Sequence, residues 1–175
     1  SPGGDWVPTQ QLFAPDATTI DSFGHSAALS ADGLTAIIGA VGDDIAAESN
    51  AGSAWVFTRA PGGAFAAAQK LVAPDGAAGD FFGSSVALSA DGTSAVVAAF
   101  YDDTAGGLNA GSAYIFVRDP GGVWTPVQKL LAPDGATGDQ LGQAAGLSAA
   151  GDRAVLGAVL DDTAAGVDAG SARIF

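Results

Sequence analysis

Residues 82–90 alternate between two faces. Phe82, Ser84, Val86 and Leu88 fall on one side, and Gly83, Ser85, Ala87 and Ser89 on the other. A period of two predicts a strand. Asp91-Gly92 follows and reads as a two-residue hairpin turn. Residues 93–100 form a short apolar run, which suits a strand covered on both faces. A polar, glycine-rich loop spans 101–110. Residues 111–118, carrying Tyr114, Ile115 and Phe116, predict a third strand; 119–122 predict a turn and 124–131 a fourth strand.

The same pattern occurs three times. APDGAAGDFFGSSVALSADG at 73–92 has counterparts at 14–33 and 132–151, 59 residues away on either side. Pro-Gly-Gly begins at Pro2, Pro61 and Pro120. Asp pairs follow at Asp43-Asp44, Asp102-Asp103 and Asp161-Asp162, then Ala-Gly-Ser-Ala at Ala51, Ala110 and Ala169. The second and third copies agree at 32 of 56 aligned positions, which marks diverged duplication rather than low complexity. The chain is therefore read as one repeat domain over 1–175, with units of about 2–60, 61–119 and 120–175. Such a period means one supersecondary unit stacked on its neighbours. Four antiparallel strands with short turns describe a β-propeller blade, so the fold class is all-β, a propeller of four-stranded blades. A β-trefoil is the alternative, although its units are typically shorter.

Composition sharpens this. Of 19 acidic residues, 18 are Asp and only Glu48 is Glu. Asp belongs in turns, where it accepts hydrogen bonds from nearby backbone amides. With 26 Gly and 8 Pro, turns dominate. A net charge of −13 with six Lys and Arg argues against nucleic acid. The absence of Cys excludes disulfides and zinc–thiolate sites. No apolar run approaches the roughly 20 residues that span a bilayer as helix. No signal peptide is visible, and a chain without Met reads as a processed product or a fragment.

Asp-x-Phe-Gly (Asp21 to Gly24, Asp80 to Gly83), Leu-Ser-Ala-Asp-Gly, Gly-Ala (Gly39-Ala40, Gly157-Ala158) and Ala-Gly-Ser-Ala-x-x-Phe occur in that order. Together they resemble the FG-GAP repeat, the blade of integrin α-subunit propellers and of many bacterial extracellular proteins. The likeness covers all three units and is closest to the bacterial form, where Gln-Lys-Leu and Ala-x-Asp precede Phe-Gly. It implies a secreted or cell-surface, non-enzymatic module for adhesion, protein binding or self-assembly. The sequence departs from the pattern at Leu141, which replaces Phe, and at Ala98-Ala99, which replaces Gly-Ala. Calcium-binding integrin blades carry Asp-x-Asp-x-Asp-Gly between their first two strands. Here that hairpin keeps Asp32 or Asp91 alone, and Ala150 stands in the third copy, so calcium at that loop is not carried over.

Propellers have about four to eight blades. The chain opens with a fourth-type strand at 6–13 and stops after a third-type strand at Phe175. Two readings stand. In one, strand 6–13 is exchanged with the last blade, and two chains joined head to tail make a six-bladed ring. In the other, the chain is an excerpt of a longer propeller.

Two loop sets share one face of such a fold, and both are acidic. One holds Asp43 and Asp44, Asp102 and Asp103, and Asp161 and Asp162, each followed by Asn50, Asn109 or Asp168. The other holds Asp16 and Asp21, Asp75 and Asp80, and Asp134 and Asp139. Neighbouring loops with these carboxylates suit Ca2+, which takes six to eight oxygens; the alternative is that each Asp caps its own turn. His25 aligns with Ser84 and Gln143 and reads as an exposed or axis-lining polar residue. Trp6, Trp55, Tyr114 and Trp124 suit either sugar stacking, in a multivalent lectin, or filling between blades. Trp55 and Tyr114 align with Arg173, which places that position at a rim. Arg153 and Arg173 are expected to partner the acidic loops. An enzyme using paired Asp carboxylates is the third reading, weakened because adjacent loop residues point different ways.

Overall fold

A computed structural model of the protein describes residues 5–175. It contains eleven strands and no helix among them. Strands β1 (Phe23–Leu29), β2 (Thr35–Ala40), β3 (Ser53–Thr58) and β4 (Ala66–Leu71) form one antiparallel sheet in chain order. Strands β5 (Val86–Leu88), β6 (Ser94–Ala99), β7 (Ser112–Arg118) and β8 (Trp124–Leu130) form a second. Strands β9 (Leu141–Leu147), β10 (Ala154–Ala158) and β11 (Ser171–Ile174) form a third, which has no fourth strand among the described residues. Among the described residues no helix is long and apolar enough to cross a membrane.

The sheets stack as blades. Their first strands meet along one line, β1 against β5 and β5 against β9. There the backbone runs blade to blade: the Ala31 N–H donates to Ala90 O, and the Ala90 N–H to Ala149 O, both at 2.9 Å. Between blades 1 and 2 lies a core of Ile37, Val56, Leu71, Phe82, Tyr114 and Phe116. Between blades 2 and 3 lies one of Val96, Leu130, Leu141, Ala154 and Leu156. The second strands of blades 1 and 2, β2 and β6, are buried almost throughout, as an apolar run predicts.

Glycine makes the joint between blades. Phe82 inserts fully buried, its ring edge-on to Tyr114 and Phe116. Its N–H donates to Ala51 O at 2.9 Å, so its backbone lies on Gly52. A Cβ on Gly52 would stand 2.1 Å from Phe82 O, and one on Gly39 would stand 1.9 Å from Gly83 O. The same contact recurs one blade on, where a Cβ on Gly111 would lie 2.3 Å from Leu141 O. The Phe-Gly and Ala-Gly-Ser motifs are thus the two halves of one joint.

Three expectations need correction. The strand expected over 82–90 shrinks to Val86–Leu88. Phe81 and Gly83 take positive φ, and the Gly83 and Ser84 amides both turn to Ala98 O, which removes the start from the regular ladder. The hairpin after it has a four-residue loop, not two: the Ser89 N–H donates to Ser94 O, and Gly92 to Ser89 O. Asp91 organises that loop by accepting from the Ser89 and Thr93 hydroxyls and the Thr93 amide. Residues 6–13 form no strand: among the described residues no strand edge lies beside them to complete a ladder. They still sit where a fourth strand belongs. Gln10 clamps the Phe65 backbone with two bonds of 2.8 Å, as Gln69 of β4 clamps the Trp124 backbone of β8.

Candidate functional site

The twelve repeated carboxylates fall into three kinds of position. The first closes a turn. Asp21 accepts from the Thr18 N–H at 2.5 Å and the Thr18 hydroxyl at 2.6 Å. Asp80 accepts from the Ala77 N–H at 2.7 Å, and Asp139 from the Ala136 N–H at 2.8 Å. All three side chains are buried where the chain crosses from blade to blade.

The second kind shapes the loop from second to third strand. Asp44 accepts from the Asn50 N–H, Asp103 from the Asn109 N–H and Asp162 from the Asp168 N–H, each at 2.8 Å. Asn50, Asn109 and Asp168 have φ between 51° and 54°. That left-handed region is one that Asn and Asp tolerate better than other side chains. Local geometry therefore explains why every copy keeps an oxygen-bearing residue there.

The third kind forms a latch across each blade. Lys70 of β4 reaches Asp16 and Asp43, both at 2.6 Å. Lys129 of β8 reaches Asp75 at 2.8 Å and Asp102 at 2.6 Å. The third blade has no such lysine. Arg173 of β11 pairs there with Asp134 and, at 3.4 Å, with Asp161. Asp43, Asp102 and Asp161 also accept from the hydroxyls of Ser53, Ser112 and Ser171. Tyr114 donates to Asp75.

Burial alone pulls the Lys70 and Lys129 ammonium groups toward neutrality, but two carboxylates apiece outweigh it and both pKa values end above the ordinary lysine range. Asp16 and Asp75 respond in the reverse sense: burial pushes them up, and the hydrogen bonds and charge of their lysines bring them below the usual carboxylate range. Tyr114 is held protonated by burial and by its bond to Asp75.

Asp80 differs. Burial pushes its pKa up to about 6, the Asp102 charge adds to this, and the Ala77 N–H opposes it. Its folded value exceeds its unfolded one, so the folded state binds this proton more tightly and Asp80 adds stability as pH falls from 7 toward 4. The melting temperature of Asp80→Asn, followed by calorimetry from pH 7 to pH 5, is expected to rise less than that of the parent. Equal rises would refute this assignment.

The arrangement brings Asp16 to Asp43, Asp75 to Asp102 and Asp134 to Asp161, each pair around one cation. It leaves the turn and loop carboxylates with separate local partners. Among the described residues no group of three or more His, Cys, Asp or Glu side chains converges on a metal position. Arg173 partners acidic loops as expected, whereas Arg153 forms no ion pair among the described residues. His25 is exposed on β1. Trp124 and Tyr114 are buried among the blade contacts, Trp55 is half-buried, and Trp6 is fully exposed.

The lysines, the serines and the clamping glutamines escaped the sequence reading. The glutamines and lysines are signalled by Gln-Lys-Leu at 69–71 and 128–130, which places Gln and Lys side by side on each fourth strand, and the serines by Ala-Gly-Ser-Ala at 51, 110 and 169.

Stacked antiparallel blades, joined by Phe-Gly into glycine pockets and latched by carboxylate–lysine bridges, define a β-propeller-type repeat protein. The chain belongs to the FG-GAP repeat family, whose repeat matches residues 6–57, 65–116 and 124–175. Each match runs from a fourth-type strand position to the end of a third strand, so the sequence repeat is offset by one strand from the blade. Among solved structures, the chain is similar to a functionally unknown protein from Desulfotomaculum acetoxidans, with 14% identity and a TM-score of 0.43, over 93% of this chain and 50% of that one. It is also similar to hydrazine synthase of Kuenenia stuttgartiensis, with 15% identity and a TM-score of 0.33, over 89% of this chain and 46% of that one. The chain thus spans about half the length of each. No curated protein matches it.

Proposed function

We propose that this protein is a non-enzymatic extracellular module that binds other proteins through its blade rims and associates with itself. One observation carries the reading: each of the twelve repeated carboxylates has a donor within its own turn, loop or blade. Acid–base catalysis needs a group held free for substrate, and the repeated acidic residues serve the scaffold instead. Membership of the FG-GAP family supports a binding role, and the strongly acidic surface suits a saline or calcium-rich medium.

The test is an array of extracellular matrix proteins and glycans probed with and without calcium. Saturable capture of a protein, with that protein recovered unchanged, is expected. Cleavage of a bound species would contradict the reading, and capture of glycans alone would replace it with a lectin. Calcium or a chelator is expected to leave the melting temperature unchanged, because the carboxylates already hold amides, hydroxyls and cations. A clear rise with calcium would show a metal site instead.

A further inference from the structure

The fourth strand is the outer edge of its blade, and one side of its backbone faces away from the sheet. Such an edge invites another strand unless the sequence blocks it, often with proline. The repeats differ at one position of this segment. Pro8 and Pro126 occupy it in the first and third repeats, and Ala67 occupies it in the second. Proline therefore stands on β8, the edge of blade 2, and alanine on β4, the edge of blade 1.

Backbone direction gives that difference its meaning. The Trp124 N–H leaves β8 outward, for Gln69 of blade 1, at 2.8 Å. Alternation turns the nitrogen of Pro126, two residues on, to the same outer side, where it has no hydrogen to offer. The Phe65 N–H leaves β4 in the same way, for Gln10 at 2.8 Å. The Ala67 N–H and C=O therefore face outward as a free pair. Both strands carry the same irregularity against the third strand, at Val56–Phe57 in blade 1 and at Ile115–Phe116 in blade 2. The two blades thus differ in edge chemistry and agree in geometry. Ala66, Ala67 and Ala68 are all exposed, and their small side chains let a second backbone approach. Lys70, a charge that could guard the edge, is drawn back onto Asp16 and Asp43.

We propose that β4 pairs antiparallel with β4 of a second copy of this chain, about a two-fold axis near Ala68, so that two four-stranded sheets become one. The proposal deepens the self-association in the proposed function and rests on that reading.

The charges along the strand select this occupant and this direction. At the Phe65 end lies Arg59, its guanidinium 4.9 Å from the Phe65 ring. It forms no ion pair among the described residues. At the Leu71 end Asp16 and Asp43 share Lys70, and the exposed Asp44 adds to them, which leaves an excess of negative charge. An antiparallel pair sets the cation of each copy toward the acidic end of the other. A parallel pair would set like charge toward like. The edge of blade 2 has the same charges in Arg118, Asp75, Asp102, Asp103 and Lys129, so Pro126 is what distinguishes it.

Ala67→Pro gives β4 the edge of β8. Blade 2 already accepts proline at this position, so the variant is expected to keep the circular dichroism of the parent. Each copy loses one edge donor and gains a ring in the interface, so light scattering is expected to show the dimer weakened at least about tenfold. A folded variant that associates as tightly as the parent would overturn the proposal and leave self-association standing. A parent that stays monomeric at every concentration would overturn both. The second arm uses the absence of native cysteine. Ala68→Cys is expected to give a disulfide-linked dimer on mild oxidation, and Val127→Cys, its exposed counterpart on β8, much less. Equal yields, or none from Ala68→Cys, would also overturn the proposal.

Discussion

Replacing Lys129 by methionine is expected to lower the unfolding free energy by about 3 kcal/mol, the cost of removing one partner from a largely buried ion pair. Lys129 holds Asp75 and Asp102 together, and Asp102 is buried. Methionine keeps the length and apolar stem of the side chain, so packing along β8 is largely retained. What is lost is the charge that balances two carboxylates on different loops. Denaturant titration near pH 7 reads the effect. The triple variant Lys129→Met, Asp75→Asn, Asp102→Asn removes the stranded charges and is expected to recover most of it. A single variant as stable as the parent would show that the latch is ornamental.

Gly52→Ala is expected to cost about 3 kcal/mol or more. Its φ of 83° disfavours any L side chain by roughly 1–2 kcal/mol. The larger contribution comes from Phe82, whose backbone leaves no room for a Cβ. Separating blades 1 and 2 by even a methyl width loosens the core around Phe82, and overpacking of this kind typically costs 1–3 kcal/mol. Gly62→Ala isolates the two effects. Gly62 also has positive φ, at 75°, but a Cβ there meets nothing within 4 Å. It is expected to lose only the conformational part. Equal losses from the two variants would mean that the glycine joint does not set the blade spacing.

The repeat unit and its strands were legible because the physics that fixes them is local. The apolar run ending at Phe100 has to be covered on both faces, and Asp91-Gly92 has to turn. What could not be read from residue spacing was which carboxylate meets which cation. Asp43 and Lys70 are 27 positions apart, and nothing in alternation or turn chemistry says that their loop and strand share a blade edge. The offset of one strand between sequence repeat and blade was visible at the chain's two ends. The length of the hairpin loop was misread because Ser89 and Thr93 join Asp91 in one hydrogen-bonded cluster, a cooperation no dipeptide signal carries.

The mass of the native chain in solution, measured by light scattering over a range of concentrations, tests the proposed self-association most directly. The account predicts a folded species heavier than the 16.9 kDa chain. A well-folded monomer at every concentration would contradict it.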